Sequence, residues 1–200
     1  VGQPLGVFYL PHCKGLVKNE NGSYFYDIED LDHNGNVDLS DGGDRYIAGQ
    51  ATPKVILGSN ISFRYKNYYI SIQMNGAFGH KIFNGTGLAY TSMACFPDYN
   101  VLKDAPKKNI IDQRVSDYWL EKGDYLNFEH LTIGYNVPLR SKLIRSLRVS
   151  CNISNIGTIT GYKGLTPMIN SYVVNSTMGI DDKRNYPLYR TYSLGLSVQF

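Results

Sequence analysis

Two runs of strict alternation, separated by only two residues, limit what this chain can fold into more than any other feature. Val55, Leu57, Ile61, Phe63 and Tyr65 share one face of an extended chain, with Ser59 among them, opposite Gly58, Asn60, Ser62 and Arg64. Beyond Lys66-Asn67 the pattern resumes, with Tyr68, Ile70, Ile72, Met74 and Phe78 opposite Tyr69, Ser71, Gln73, Asn75 and Ala77. This predicts a β-hairpin with a very short turn. Each strand runs to about 11–12 residues, roughly twice the usual globular strand and the length that a tilted membrane-crossing strand requires.

Three further strands follow the same logic. From Asp124 to Val137 the phase slips, because Leu126 and Phe128 share one parity while Leu131, Ile133, Tyr135 and Val137 share the other. A β-bulge near Glu129-His130 restores the apolar face. Leu147, Val149, Cys151 and Ile153 define a fourth strand, and Tyr192, Leu194, Leu196, Val198 and Phe200 a fifth that ends on an aromatic, as outer-membrane barrels do. The predicted class is all-β, an antiparallel transmembrane β-barrel portion of about five strands. That falls short of the roughly eight a closed barrel needs, so the rest of a barrel and outer-membrane lipid are implied as partners. Residues 1–54 are expected to be an extracellular loop segment, and 55–200 to be carboxy-terminal barrel strands and loops.

Composition narrows the function. Charged residues make up 18% of the chain, below the roughly 25% of ordinary soluble proteins. A net charge of +3 without a Lys/Arg cluster argues against nucleic acid. There is no apolar run of about 18 residues, which excludes a transmembrane helix and leaves a barrel open. The chain opens on Val1, as expected of a processed chain or a piece of a longer one. No nucleophile elbow, HExxH motif or paired-carboxylate site is present, so no enzyme is expected; Asp124, Glu129 and His130 read as strand-end, rim or lumen residues. Of Cys13, Cys95 and Cys151, the last lies on a strand's apolar face, which leaves Cys13 with Cys95 as the pair to test.

The sharpest local motif is acidic. Counting from Asp30 as the first position of a 12-residue EF-hand loop, Asp32, Asn34, Asn36 (through its carbonyl), Asp38 and Asp41 fill the other coordinating positions, and Gly35 sits where the loop must turn. Position 12 holds Asp rather than the longer Glu, and neither flank reads as an amphipathic helix. Two readings stand: a bound Ca²⁺, or an Asx-turn loop that needs no metal.

Residues 1–26 show no sustained period and are expected to be irregular. Long connections at 80–123 and 156–187, the first broken by a short helix near 112–121, alternate with short turns at 66–67 and 138–146. Outer-membrane barrels have long extracellular loops and short periplasmic turns. That parity puts both long connections and the acidic segment outside, and Tyr65, Tyr68, Tyr135 and Phe200 at the periplasmic rim. Tyr90, Tyr99, Tyr162 and Tyr172 are the loop aromatics expected to stack on substrate, pack on a partner or fold the loop on itself.

The residues also resemble a family. Gly2-Gln-Pro-Leu-Gly-Val-Phe-Tyr9, the 30–38 acidic run, Gly49-Gln-Ala-Thr-Pro-Lys54, Asp124 to Tyr135, Leu147-Arg-Val149, Asn155 followed by Tyr162-Lys-Gly164, and Tyr186-Pro with the last strand look like the carboxy-terminal part of SusC/RagA-type TonB-dependent outer-membrane transporters. The resemblance implies a 22-stranded barrel in a Gram-negative outer membrane. It further implies import of glycan oligosaccharides or peptides, a SusD-like surface lipoprotein as lid, and energy from TonB. No plug domain or TonB box is present here, so coupling to TonB would run through a portion outside this chain. A soluble extracellular Ca²⁺-binding β-sandwich, an adhesin or carbohydrate-binding module, is the competing reading.

Overall fold

The alternating stretches fold as their periodicity requires. A computed structural model of the chain describes residues 2–40, 42–140, 143–169, 178–183 and 185–200. In chain order the strands begin with β1 (Val7–Leu10), β2 (Cys13–Lys18), β3 (Tyr24–Ile28), β4 (Tyr46–Gln50), β5 (Val55–Tyr65), β6 (Tyr68–Phe78) and β7 (Lys81–Asn84). Helix α1 (Gly85–Thr91) and the single turn α2 (Ala105–Lys108) follow. The chain then runs through β8 (Leu120–Lys122), β9 (Tyr125–Val137), β10 (Ser146–Thr160), β11 (Ile180–Asp181) and β12 (Thr191–Gln199). Two compact units result, one from 1–53, 79–123 and 162–186, the other from 54–78, 124–161 and 187–200.

The second unit is a five-stranded antiparallel sheet in the order β5-β6-β9-β10-β12. Lys66 takes φ 51°, the positive φ such a two-residue hairpin loop demands at its first position, and Tyr65 stands directly opposite Tyr68. The bulge falls where the phase slip predicts it. His130 pairs with Gln73 and Phe128 with the next residue, Met74, so Glu129 is the extra residue on β9. Asn155 (φ 53°) and Ile156 lie between the residues of β10 that pair with His130 and Phe128. Past that distortion β10 continues to Thr160, beyond the Ser154 end the sequence implies. Asn155 in a left-handed conformation and the bare Gly157 interrupt the apolar signal there, although the ladder resumes at Gly157↔Phe128.

Register turns the five patterns into two continuous surfaces. On one lie Phe63, Ile70, Ile133, Cys151 and Leu194, in cross-strand rows that are apolar from edge to edge. Phe63, Leu194 and Leu196 are 64%, 85% and 69% exposed, so this is an apolar surface without a covering layer among the described residues. The other surface is hydrogen-bonded side chain to side chain. Thr132 Oγ1 donates to Asn152 Oδ1 (2.9 Å), Thr158 Oγ1 to Asn127 Oδ1 (2.9 Å), Ser71 Oγ to Asn60 Oδ1 (3.0 Å) and Arg148 Nε to Asn136 Oδ1 (2.9 Å). At one end Tyr68 and Tyr135 meet at 4.7 Å between ring centroids, beside Tyr65.

The first unit has a core of its own, built from Phe8, Cys13, Tyr26, Ile28, Ala51, Phe83, Ile110 and Trp119. Its strands are short: β1 pairs with β4, β2 with β3, and β7 lies between β8 and a parallel β11. The expected irregularity of residues 1–26 is thus corrected, since β1, β2 and most of β3 lie there. Strands of four to six residues whose buried side chains meet partners far along the chain leave no local period to read. In the 80–123 connection, helix α1 is capped by Asn84, whose Oδ1 accepts the Gly87 N–H (2.7 Å) and whose Nδ2 donates to Glu121 (2.9 Å). Near 112–121 the only helical turn among the described residues is a 3₁₀ turn at Asp117–Trp119. Trp119 Nε1 donates to Tyr26 Oη at 2.9 Å in the core, and burial pushes the Tyr26 hydroxyl up to about 12.

Candidate functional site

Between Asp30 and Asp44 the chain is a succession of Asx turns. Asp30 accepts the Asn34 N–H (3.3 Å) and the Gly35 N–H (2.7 Å), Asp32 accepts both the Asn34 N–H (3.1 Å) and its side-chain amide (2.8 Å), and Asn34 Oδ1 accepts the Asn36 N–H (2.8 Å). Gly35, at φ 88°, is the turn residue that the spacing requires. Asp38 accepts the Ser40 N–H and hydroxyl at 2.9 and 2.7 Å. Those bonds hold the carboxyls of Asp30, chiefly through Gly35, and Asp38, chiefly through Ser40, below the usual carboxylate range.

The organiser of the loop is Asp44, a residue outside the twelve-position spacing. Fully buried, it accepts N–H bonds from Leu31 (2.5 Å), Asp32 (3.2 Å) and Asp38 (2.7 Å). One carboxylate oxygen each from Asp30, Asp32 and Asp44 lie within 4.8 Å of one another. Two oxygens at the 2.3–2.6 Å reach of Ca²⁺ lie at most about 5 Å apart, so these three fit one cation. Asn34 Oδ1 is turned to a backbone N–H, and Asp41 lies outside the described residues.

A second carboxylate, Asp117, ties three elements together. It accepts the Cys13 N–H (2.7 Å) and the Tyr46 hydroxyl (2.7 Å) and lies 2.6 Å from His12 Nδ1. Burial, reinforced by Asp117, pushes the Tyr46 hydroxyl up to about 12, and burial also pushes the Cys13 thiol up. A thiol so raised is a poor nucleophile. Cys13 and Cys151 are free, and the Cys95 side chain is outside the described residues.

Among the loop aromatics, Tyr99 is 66% exposed and Tyr90 half-buried, whereas Tyr162 is 6% exposed and donates its hydroxyl to buried Asp181 at 2.8 Å. Tyr172 lies outside the described residues. Sequence reasoning missed a cleft of about 320 Å³ whose walls include Tyr9, Leu39, Arg45 and Arg114. Its residues come from three separate stretches with no shared motif, so spacing carries no signal of it.

A sheet with one bare apolar face, one hydrogen-bonded polar face and strands of 9 to 15 residues has the build of an outer-membrane β-barrel wall. No family model matches the chain. By sequence it is 27% identical to TonB-dependent receptor P3 of Formosa agariphila over 231 residues, covering all of this chain and 22% of that one. It is also 27% identical to TonB-dependent receptor SusC of Bacteroides thetaiotaomicron, covering all of this chain and 20% of that one. Its fold matches solved RagAB peptide importer structures, with TM-score 0.71 and 16% identity in the closed-closed state and 0.72 and 18% in the open-open state, over 98% and 97% of this chain. The chain is thus similar in sequence to TonB-dependent receptors of Gram-negative outer membranes, SusC among them, and in fold to the RagAB structures. It spans about a fifth of the length of these curated relatives.

Proposed function

We propose that this chain is part of a TonB-dependent importer that takes glycan oligosaccharides or peptides across the outer membrane with a SusD-like surface lipoprotein. The observation that carries the reading is the pair of sheet surfaces: an edge-to-edge apolar face suited to lipid, backed by a polar face suited to a water-filled or plugged lumen. Outer strands β5 and β12 each have one unpaired edge among the described residues, which the remaining strands of the barrel would take up. A soluble sandwich would need a second sheet over Phe63, Leu194 and Leu196. Contact with TonB would be made by a portion outside this chain.

On this reading the long connections form the external mouth, with Tyr90 and Tyr99 facing substrate or lid and Tyr162 holding the fold through Asp181. Asp30, Asp32, Asn34, the Asn36 carbonyl, Asp38 and Asp41 would hold one Ca²⁺, with the grouped carboxylates of Asp30, Asp32 and Asp44 as its nucleus. A bound ion would neutralise the clustered carboxylates, whose orientation the chain's own N–H bonds set. The test is uptake of labelled peptide and oligosaccharide pools by cells carrying the full-length receptor. Uptake lost on deletion of TonB supports the proposal, and uptake indifferent to TonB contradicts it.

A further inference from the structure

We propose that the cleft between the end of β1, Leu39 and residues 112–115 binds the carboxylate end of a short peptide whose terminal side chain is apolar. The inference rests on the importer reading and names a substrate class within it. The cleft's volume of about 320 Å³ is at the small end of ligand sites, which run to about 1,000 Å³. It seats one or two residues rather than a long oligomer. Leu10, Pro11, Leu39 and Val115 give it an apolar lining, and only Pro11 of these is fully buried. Together with the Tyr9 ring at the wall, that lining offers an apolar side chain a place beside the charged residues.

Charge selects the other end of the ligand. Arg45, Arg114 and Asp112 line the cleft; Arg45 also faces the Asp38 carboxylate, so Arg114 is the guanidinium the ligand would meet. Arg114 Nε is 3.6 Å from Asp112 Oδ2, beyond the 2.7–2.9 Å of a charge-assisted hydrogen bond. Its two terminal nitrogens have no partner among the described residues. A guanidinium presents paired donors that match a carboxylate's two oxygens. The hydroxyls of a neutral sugar accept from that fork without the negative charge that makes a carboxylate's bonds the stronger ones, and an acidic sugar offers the carboxylate without an aliphatic side chain.

Calorimetry on the full-length receptor in detergent, with acetyl-alanyl-leucine, its carboxy-terminal amide and glucuronate as probes, tests the proposal. The acid should bind, with the amide and glucuronate each about 10-fold weaker or worse. R114Q should weaken the acid by about 10-fold and leave the amide unchanged. Because Arg114 is exposed, the variant should fold, and an unchanged circular dichroism spectrum confirms it. Equal binding of acid and amide, glucuronate tighter than the peptide, or acid binding indifferent to R114Q overturns the proposal. TonB-dependent uptake in cells expressing the same receptor separates the two failures. Uptake without acid selectivity sinks the cleft alone, and acid-selective binding without any uptake sinks the importer reading.

Discussion

The ring of Tyr69 lies across Gly134, its partner on the neighbouring strand, so closely that a Cβ at Gly134 would fall 1.9 Å from the ring. Above the same ring stands the Arg148 guanidinium, 5.3 Å from the centroid. Glycine is needed at position 134 because the ring occupies the space of a side chain, and the cover in turn shields the backbone that glycine leaves bare. Gly134→Ala should therefore lower stability by about 1–3 kcal/mol, the usual cost of overpacking. In a Tyr69→Ala background the same substitution should cost little. A double-mutant cycle on thermal midpoints of the detergent-solubilised receptor checks this, and additive effects would contradict it.

Asp44 should matter more to the acidic loop than any of the twelve motif positions. Asp44→Ala removes the buried carboxylate that accepts three backbone N–H groups through part-buried bonds, at about 0.5–1.5 kcal/mol for each bond lost. Faster amide exchange at Leu31 and Asp38 is the expected result. Exchange unchanged from the parent would remove Asp44 as the organiser.

Metal binding is tested separately, because Asp30 and Asp32 are exposed or half-buried and their loss leaves the Asp44 bonds in place. The Asp30→Ala, Asp32→Ala double variant should lose Ca²⁺ uptake in calorimetry, and chelation of the parent should speed proteolysis between 30 and 44. Undiminished uptake by the variant would contradict a site built on these carboxylates.

The loop's pH dependence follows from the direction of its carboxyl shifts. Asp30 and Asp38 ionise more readily in the folded loop than their ordinary 3.8. Their contribution is fully present above that ordinary value and is lost as pH falls through the depressed folded value. Exchange at Gly35 and Ser40, corrected for intrinsic rates, should be flat from neutral pH down to about 5 and rise only in acid below about 4. A rise near neutrality would contradict the assignment.

The sheet was legible because period-2 alternation is a local property that survives without neighbours. Even the Glu129 bulge announced itself, as a parity change between Phe128 and Leu131. Ile110, Trp119 and Phe8 were not legible, because each is buried by residues many positions away and none sits in a periodic run. The acidic spacing pointed to Asp30 and Asp32 yet missed Asp44, since the motif counts ligands along twelve residues and ignores a carboxylate that folds back from outside it. The cleft beside Arg114 left no trace at all, because three unrelated stretches make it.

On the proposed topology this sheet crosses the outer membrane with the long connections outside and the Lys66-Asn67 turn on the periplasmic side. Membrane-impermeant thiol labelling of intact cells tests it most directly, using the full-length receptor with its native cysteines replaced and a single cysteine at either Lys107 or Asn67. Labelling is expected at position 107, with protection at 67 until the outer membrane is permeabilised. Labelling at 67 with protection at 107 would invert the topology, and equal labelling of both without permeabilisation would contradict a membrane-spanning sheet.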